Sequence, residues 1–75
     1  MKNKFEKVDA KIIGANGNIF NLIAISQRAL KENGYLDEAN ELYKKVTNSK
    51  SYEEGLNIIL EYVNPVSEND NSLDY

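Results

Sequence analysis

The segment Val8-Asp9-Ala10-Lys11-Ile12 sets the first limit on the architecture of this chain. Val8, Ala10 and Ile12 alternate with Asp9 and Lys11, and a period of two marks a half-buried β-strand. The later periodic segments all repeat at helical spacing. One strand alone leaves a row of backbone donors and acceptors without partners. The expected fold is therefore mainly α with one N-terminal β-strand, a small β-α-α-α domain. The strand must pair with a short C-terminal strand over residues 62–66 or with its own copy across a dimer.

Gly14-Ala15-Asn16-Gly17-Asn18 follows the strand. It is a cluster of turn formers. Gly14 and Gly17 are expected to supply positive φ, which glycine adopts without steric cost. Asn18 is placed to cap a helix in which Ile19, Leu22, Ile23, Ser26 and Leu30 share one face. Phe20, Ala24 and Ile25 widen the apolar surface, as in a central helix. Gly34 is placed to end it in the left-handed conformation.

A second helix is expected to start with Asp37 as its cap. Leu36, Ala39, Leu42, Tyr43 and Val46 recur on one side. Its acids come early and its bases late, which suits the helix dipole. Ser51-Tyr52-Glu53-Glu54 reads as a capping box. Tyr52, Leu56, Ile59, Leu60 and Val63 continue as a third amphipathic stripe. Gly55 interrupts this helix, and a close approach of a neighbouring helix is one reason for a glycine there. Asn64-Pro65 stops it.

These boundaries divide the 75 residues into a flexible lead-in, 1–7, a single domain, 8–63, and an acidic disordered tail, 64–75. The formal net charge of −3 belongs to that tail, through Glu68, Asp70 and Asp74. The body is balanced. A body with no net positive charge weakens the case for nucleic acid as a partner, because phosphate contacts need Lys and Arg in excess. No stretch is long and apolar enough for a membrane span or a signal peptide. A cytoplasmic location is expected, with no membrane partner.

The chain holds no Cys, no His and no Trp. Disulfides are thereby excluded, and a structural zinc site loses its usual ligands. A domain this small buries a limited fraction of its surface and commonly gains stability from a staple or a partner. Self-association is the staple left, so a homo-oligomer is expected. Ile13, Ile25, Ile58 and Tyr62 are its candidate interface residues.

Catalysis has few groups to use. Without His or Cys, general base and nucleophile would have to come from carboxylate, Lys, Ser, Thr or Tyr. The adjacent acids Asp37-Glu38 and Glu53-Glu54 point about 100° apart on a helix and do not face each other. No enzyme activity, no cofactor and no metal are expected. The sharpest candidate binding feature is the turn. Gly14, Asn16, Gly17 and Asn18 precede a helix whose free N–H groups and dipole favour an anion. Arg28 or Lys11 would add charge.

Lys11-Ile12-Ile13-Gly14-Ala15-Asn16-Gly17-Asn18-Ile19-Phe20 resembles the opening of a family of short bacterial, phage and mobile-element proteins. Those share a strand, a Gly-x-Asp/Asn-Gly-Asn turn, a nearby aromatic residue and a helix ending in Ala-Leu-x-x-x-Gly. Here that ending is Ala29-Leu30-Lys31-Glu32-Asn33-Gly34. Ser51-Tyr52 and Tyr62-Val63 also match, so the resemblance covers residues 8–63. The sequence departs from the family in its first helix, where relatives often carry several Arg and this chain has Arg28 and Lys31 alone as bases.

The resemblance implies a phage or mobile-element setting and brings no established activity. With the small size and the lack of catalytic groups, it leads to the expectation of a non-enzymatic protein. Such a protein would act by stoichiometric binding to a host protein, with host defence as a target class. Two alternatives stand beside it. One is an oligomeric sponge for a phosphorylated or nucleotide ligand at residues 14–18. The other is a structural adaptor.

Overall fold

The computed structural model describes residues 5–67. Five elements follow one another: β1 (Val8–Ile13), α1 (Ile19–Glu32), α2 (Leu36–Thr47), α3 (Tyr52–Ile59) and β2 (Val63–Ser67). The strands pair in parallel within one chain, with the three helices as the crossover between them. The β-α-α-α reading therefore holds, and the strand finds its partner in cis. The boundary drawn after residue 63 falls inside β2, so the domain extends to Ser67. Residues 68–75, including the acidic Glu68, Asp70 and Asp74, lie outside the described residues, as do residues 1–4.

The ladder pairs Val8 with Val63, Asp9 with Asn64 and Ala10 with Pro65, and an irregularity follows before Ile13 meets Ser67. The Val8 N–H donates to the Tyr62 carbonyl. Backbone direction alternates along a strand. That bond therefore turns the Val8 and Ala10 backbone groups toward β2, and those of Asp9 and Lys11 away from it. In β2 the same alternation turns Asn64 inward and Pro65 outward. Proline lacks an N–H, so an edge is where a strand tolerates it.

The core lies between the sheet and the helices. Val8, Ala10 and Val63 meet Leu22, Ile23, Leu30, Ala39, Leu42, Val46 and Ile59 there. On α1 the buried residues are Leu22, Ile23, Ser26 and Leu30, the face anticipated from spacing. This helix contacts β1, α2 and α3 and is central. Gly55 is buried, and a Cβ on it would lie 3.1 Å from Ser49 Oγ, 3.2 Å from Val46 Cγ1 and 3.5 Å from Ile19 Cδ1. The glycine lets α3 close on the end of α2 and the start of α1.

Three local expectations need correction. Gly14 and Gly34 have φ of 89° and 87°, and no other described residue is positive. Gly17 thus does not need glycine's left-handed freedom. Asp37 does not cap α2. At the end of α1, Gly34 N–H donates to Lys31 O and Tyr35 N–H to Leu30 O, a Schellman closure. That closure delivers the chain so that Tyr35 O already accepts from Ala39 N. The helix starts at Leu36, before Asp37 can stand outside it. The third stripe also predicts too long a helix. The chain leaves α3 at Ile59 and turns through residues 60–62, and Asn64-Pro65 then favours the extended backbone of β2.

The lead-in is shorter than anticipated. Phe5 sits edge-on to Tyr35 and Tyr62, with ring centroids 4.8 Å and 5.8 Å away. The Glu6 N–H donates to the Tyr35 hydroxyl. Residues 5–7 belong to the folded body.

Candidate functional site

The turn between β1 and α1 is held by its own side chains. Asn16 Oδ1 accepts from the Asn18 N–H at 2.8 Å, and Asn18 Oδ1 accepts from the Phe20 N–H at 2.9 Å. Asn21 Nδ2 donates to the Asn16 carbonyl at 2.9 Å. The Ala15 N–H donates to Ile12 O and the Asn21 N–H to Asn18 O. From the start of α3, the Tyr52 hydroxyl donates to the Gly17 carbonyl at 2.7 Å. Asn18 caps α1 as its position suggested. The amides at residues 15, 18, 20 and 21 are consequently engaged within the protein rather than pointed at an anion.

Arg28 is not at this turn. It lies ten residues beyond Asn18, about 15 Å along the helix axis at 1.5 Å per residue. Instead it lines a groove of about 560 Å³ between α1 and the outer edge of β1. Asp9, Ala10 and Lys11 form the strand side, and Ala24, Ile25, Arg28 and Ala29 are on the helix side. The turn contributes Ala15 at one end. Lys11 and Arg28 thus do come together, but with Asp9 and Glu32 in the same lining. The groove has balanced formal charge and is not built for an anion.

Three large exposed side chains adjoin the turn, two of them in sequence and one by a hydrogen bond. Ile13, Phe20 and Tyr52 are 53%, 63% and 51% exposed. Ile13 ends β1, Phe20 is in the first turn of α1, and Tyr52 begins α3 with its hydroxyl on Gly17. Ser51 Oγ accepts from the Glu54 N–H at 3.0 Å, so the cap of α3 fixes Tyr52 in place. The Glu54 carboxylate reaches back to the Lys50 N–H, one residue before the position a capping box usually serves. Spacing placed Tyr52 on the core stripe. It is released from the core because α3 enters at the turn end, where it crosses to Gly17.

The four candidate interface residues differ in exposure. Ile13 is exposed and Ile25 lines the groove, while Ile58 packs against the core. Tyr62 is 6% exposed. Its hydroxyl donates to Glu41 Oε1 at 2.9 Å, and the Lys45 ammonium stands 5.5 Å from its ring centroid. Burial pushes the Tyr62 phenol above its usual value, and Glu41 adds to this while Lys45 opposes it. The neighbouring Tyr62 oxygen, as acceptor and once ionised as opposite charge, holds Lys45 above its usual value. Tyr62 is a core residue with a polar tip rather than an interface residue.

Among the described residues, no group of three or more Asp or Glu could hold a metal ion. No helix of the described residues is long and apolar enough to cross a membrane. Comparison with family models, curated proteins and solved structures gives no match to this chain.

Proposed function

We propose that this chain is a small non-enzymatic binding protein of phage or mobile-element type that acts stoichiometrically on a protein of its host. The observation that supports this reading is the exposed set Ile13, Phe20 and Tyr52 around the turn at residues 14–18. Large apolar side chains clustered on a small surface mark interaction sites, and aromatic residues are enriched at them. The turn beneath them is fixed by the Asn16, Asn18 and Tyr52 hydrogen bonds. A rigid platform lowers the entropy lost on association. The partner is a protein that offers an apolar cleft to Phe20 and its neighbours. Components of host defence are the partner class to test first.

The test compares wild type with Phe20→Asp, a change at an exposed position, as bait for cytoplasmic extracts of bacterial hosts. One protein captured in a fixed ratio by wild type and lost with Phe20→Asp is the expected result. In the matching cell assay, wild type raises phage plating on a defended host and Phe20→Asp does not. Absence of specific capture, or capture indifferent to Phe20→Asp, would overturn the reading.

A further inference from the structure

We propose that the outer edge of β1 and the groove beside it bind a second copy of this chain, in antiparallel register with Ala10 opposite Ala10 of the other copy. The groove lining does not include Phe20 or Tyr52 of the turn end, and the inference stands whether or not the turn end binds a host protein.

Three observations converge on it. Among the described residues the sheet has two strands. Its two outer edges are not equivalent. The β2 edge presents Pro65, which has no N–H to give. The β1 edge presents the outward N–H and C=O groups of Asp9 and Lys11, a template for another strand. Beside that edge, α1 leaves a second stripe uncovered by the core. Asn21, Ala24, Ile25, Arg28 and Ala29 fall at offsets 0, 3, 4, 7 and 8 and line the groove. Its alanines leave room for a helix packed alongside.

Charge selects both the occupant and the register. Asp9 and Lys11 are exposed and lie on the same face of β1, two residues apart. When two β1 strands run antiparallel about Ala10, Asp9 of each copy stands directly opposite Lys11 of the other. Opposite charges in that relation stabilise a strand pair, and like charges destabilise it. The neighbouring symmetric registers place Asp9 against Asp9 or Lys11 against Lys11. The strand is therefore complementary to itself in one register and repelled in those on either side. The same two-fold relation brings the α1 stripes of the two copies together over a continuous sheet. Ile25, buried in part within one chain, becomes covered by the other.

The experiment measures the mass of the full chain in solution by light scattering, with circular dichroism as a check that each variant is folded. Wild type is expected at twice the 8.5 kDa chain mass. Asp9→Lys and Lys11→Asp, each at an exposed position, are each expected to halve the mass while the helical spectrum is retained. The double exchange, Asp9→Lys with Lys11→Asp, is expected to restore it. A wild type that stays at 8.5 kDa up to its solubility limit would overturn the proposal. So would a dimer indifferent to the single reversals, or single variants whose loss the exchange does not repair. Capture of a host protein by the single variants, if they are monomers, separates this surface from the turn end.

Discussion

The Tyr52 hydroxyl donates a 2.7 Å hydrogen bond to the Gly17 carbonyl, joining the first turn of α3 to the loop that launches α1 across 35 positions of sequence. The bond closes the end of the molecule at which β1 stops and two helices begin. Removing the hydroxyl while keeping the ring, by Tyr52→Phe, is expected to cost about 1 kcal/mol, the usual net worth of one such bond. Chemical denaturation measures it. Faster hydrogen exchange at residues 14–18 in the variant would locate the loss at the turn.

Gly14 and Gly17 occupy the same turn under different constraints. Gly14 has φ of 89°, where an added Cβ brings steric strain of about 1–2 kcal/mol. Nothing lies within 4 Å of that Cβ, so the cost is conformational alone. Gly17 has ordinary φ, and its Cβ would meet the Tyr52 oxygen at 3.4 Å, an acceptable contact. Thermal melts are therefore expected to show Gly14→Ala clearly below wild type and Gly17→Ala close to it.

Ser26 is fully buried in α1, and its hydroxyl has no hydrogen-bond partner among the described residues. Burying an unpaired polar group costs about 1–3 kcal/mol. Alanine removes the group and has the higher helix propensity. Ser26→Ala is expected to stabilise the protein by about 1 kcal/mol, read as a higher denaturation midpoint at unchanged slope.

Tyr62 gives the protein an alkaline limit. Its folded-state pKa is raised above the ordinary 10.0, chiefly by burial. The folded form thus holds its proton after the unfolded form has lost it. The stability tied to the neutral phenol is complete below pH 10 and is lost as pH climbs through the folded-state value. Lys45, raised above 10.5 beside Tyr62, acts in the same direction. Denaturation midpoints above pH 10 should fall less steeply for Tyr62→Phe than for wild type.

Much of the fold follows from the chain's local chemistry. The alternation at residues 8–12, the Asn18 and Ser51 caps, the glycine at position 34 and the buried face Leu22, Ile23, Ser26 and Leu30 all follow from rules that act over a few residues. The Asn64-Pro65 step does so too, through its demand for extended backbone. Where several local signals compete, neighbours in the fold decide. Tyr52 and Val63 share one helical stripe by spacing, yet Tyr52 is exposed at the turn and Val63 is buried in β2.

Sequence alone was enough for β1, for three helices in their order after it, and for the absence of thiol and imidazole chemistry. Tertiary structure set the parallel pairing of the two strands within one chain, because that pairing needs the helical crossover to return residue 63 beside residue 8. It also decided that Arg28 belongs to the β1 groove and not to the turn, since helix length separates them. Finally, it showed that Asp9 and Lys11, a plain alternation in the sequence, stand on a strand edge that no other described strand covers. Their backbone groups face outward because Val8 and Ala10 are already committed to β2.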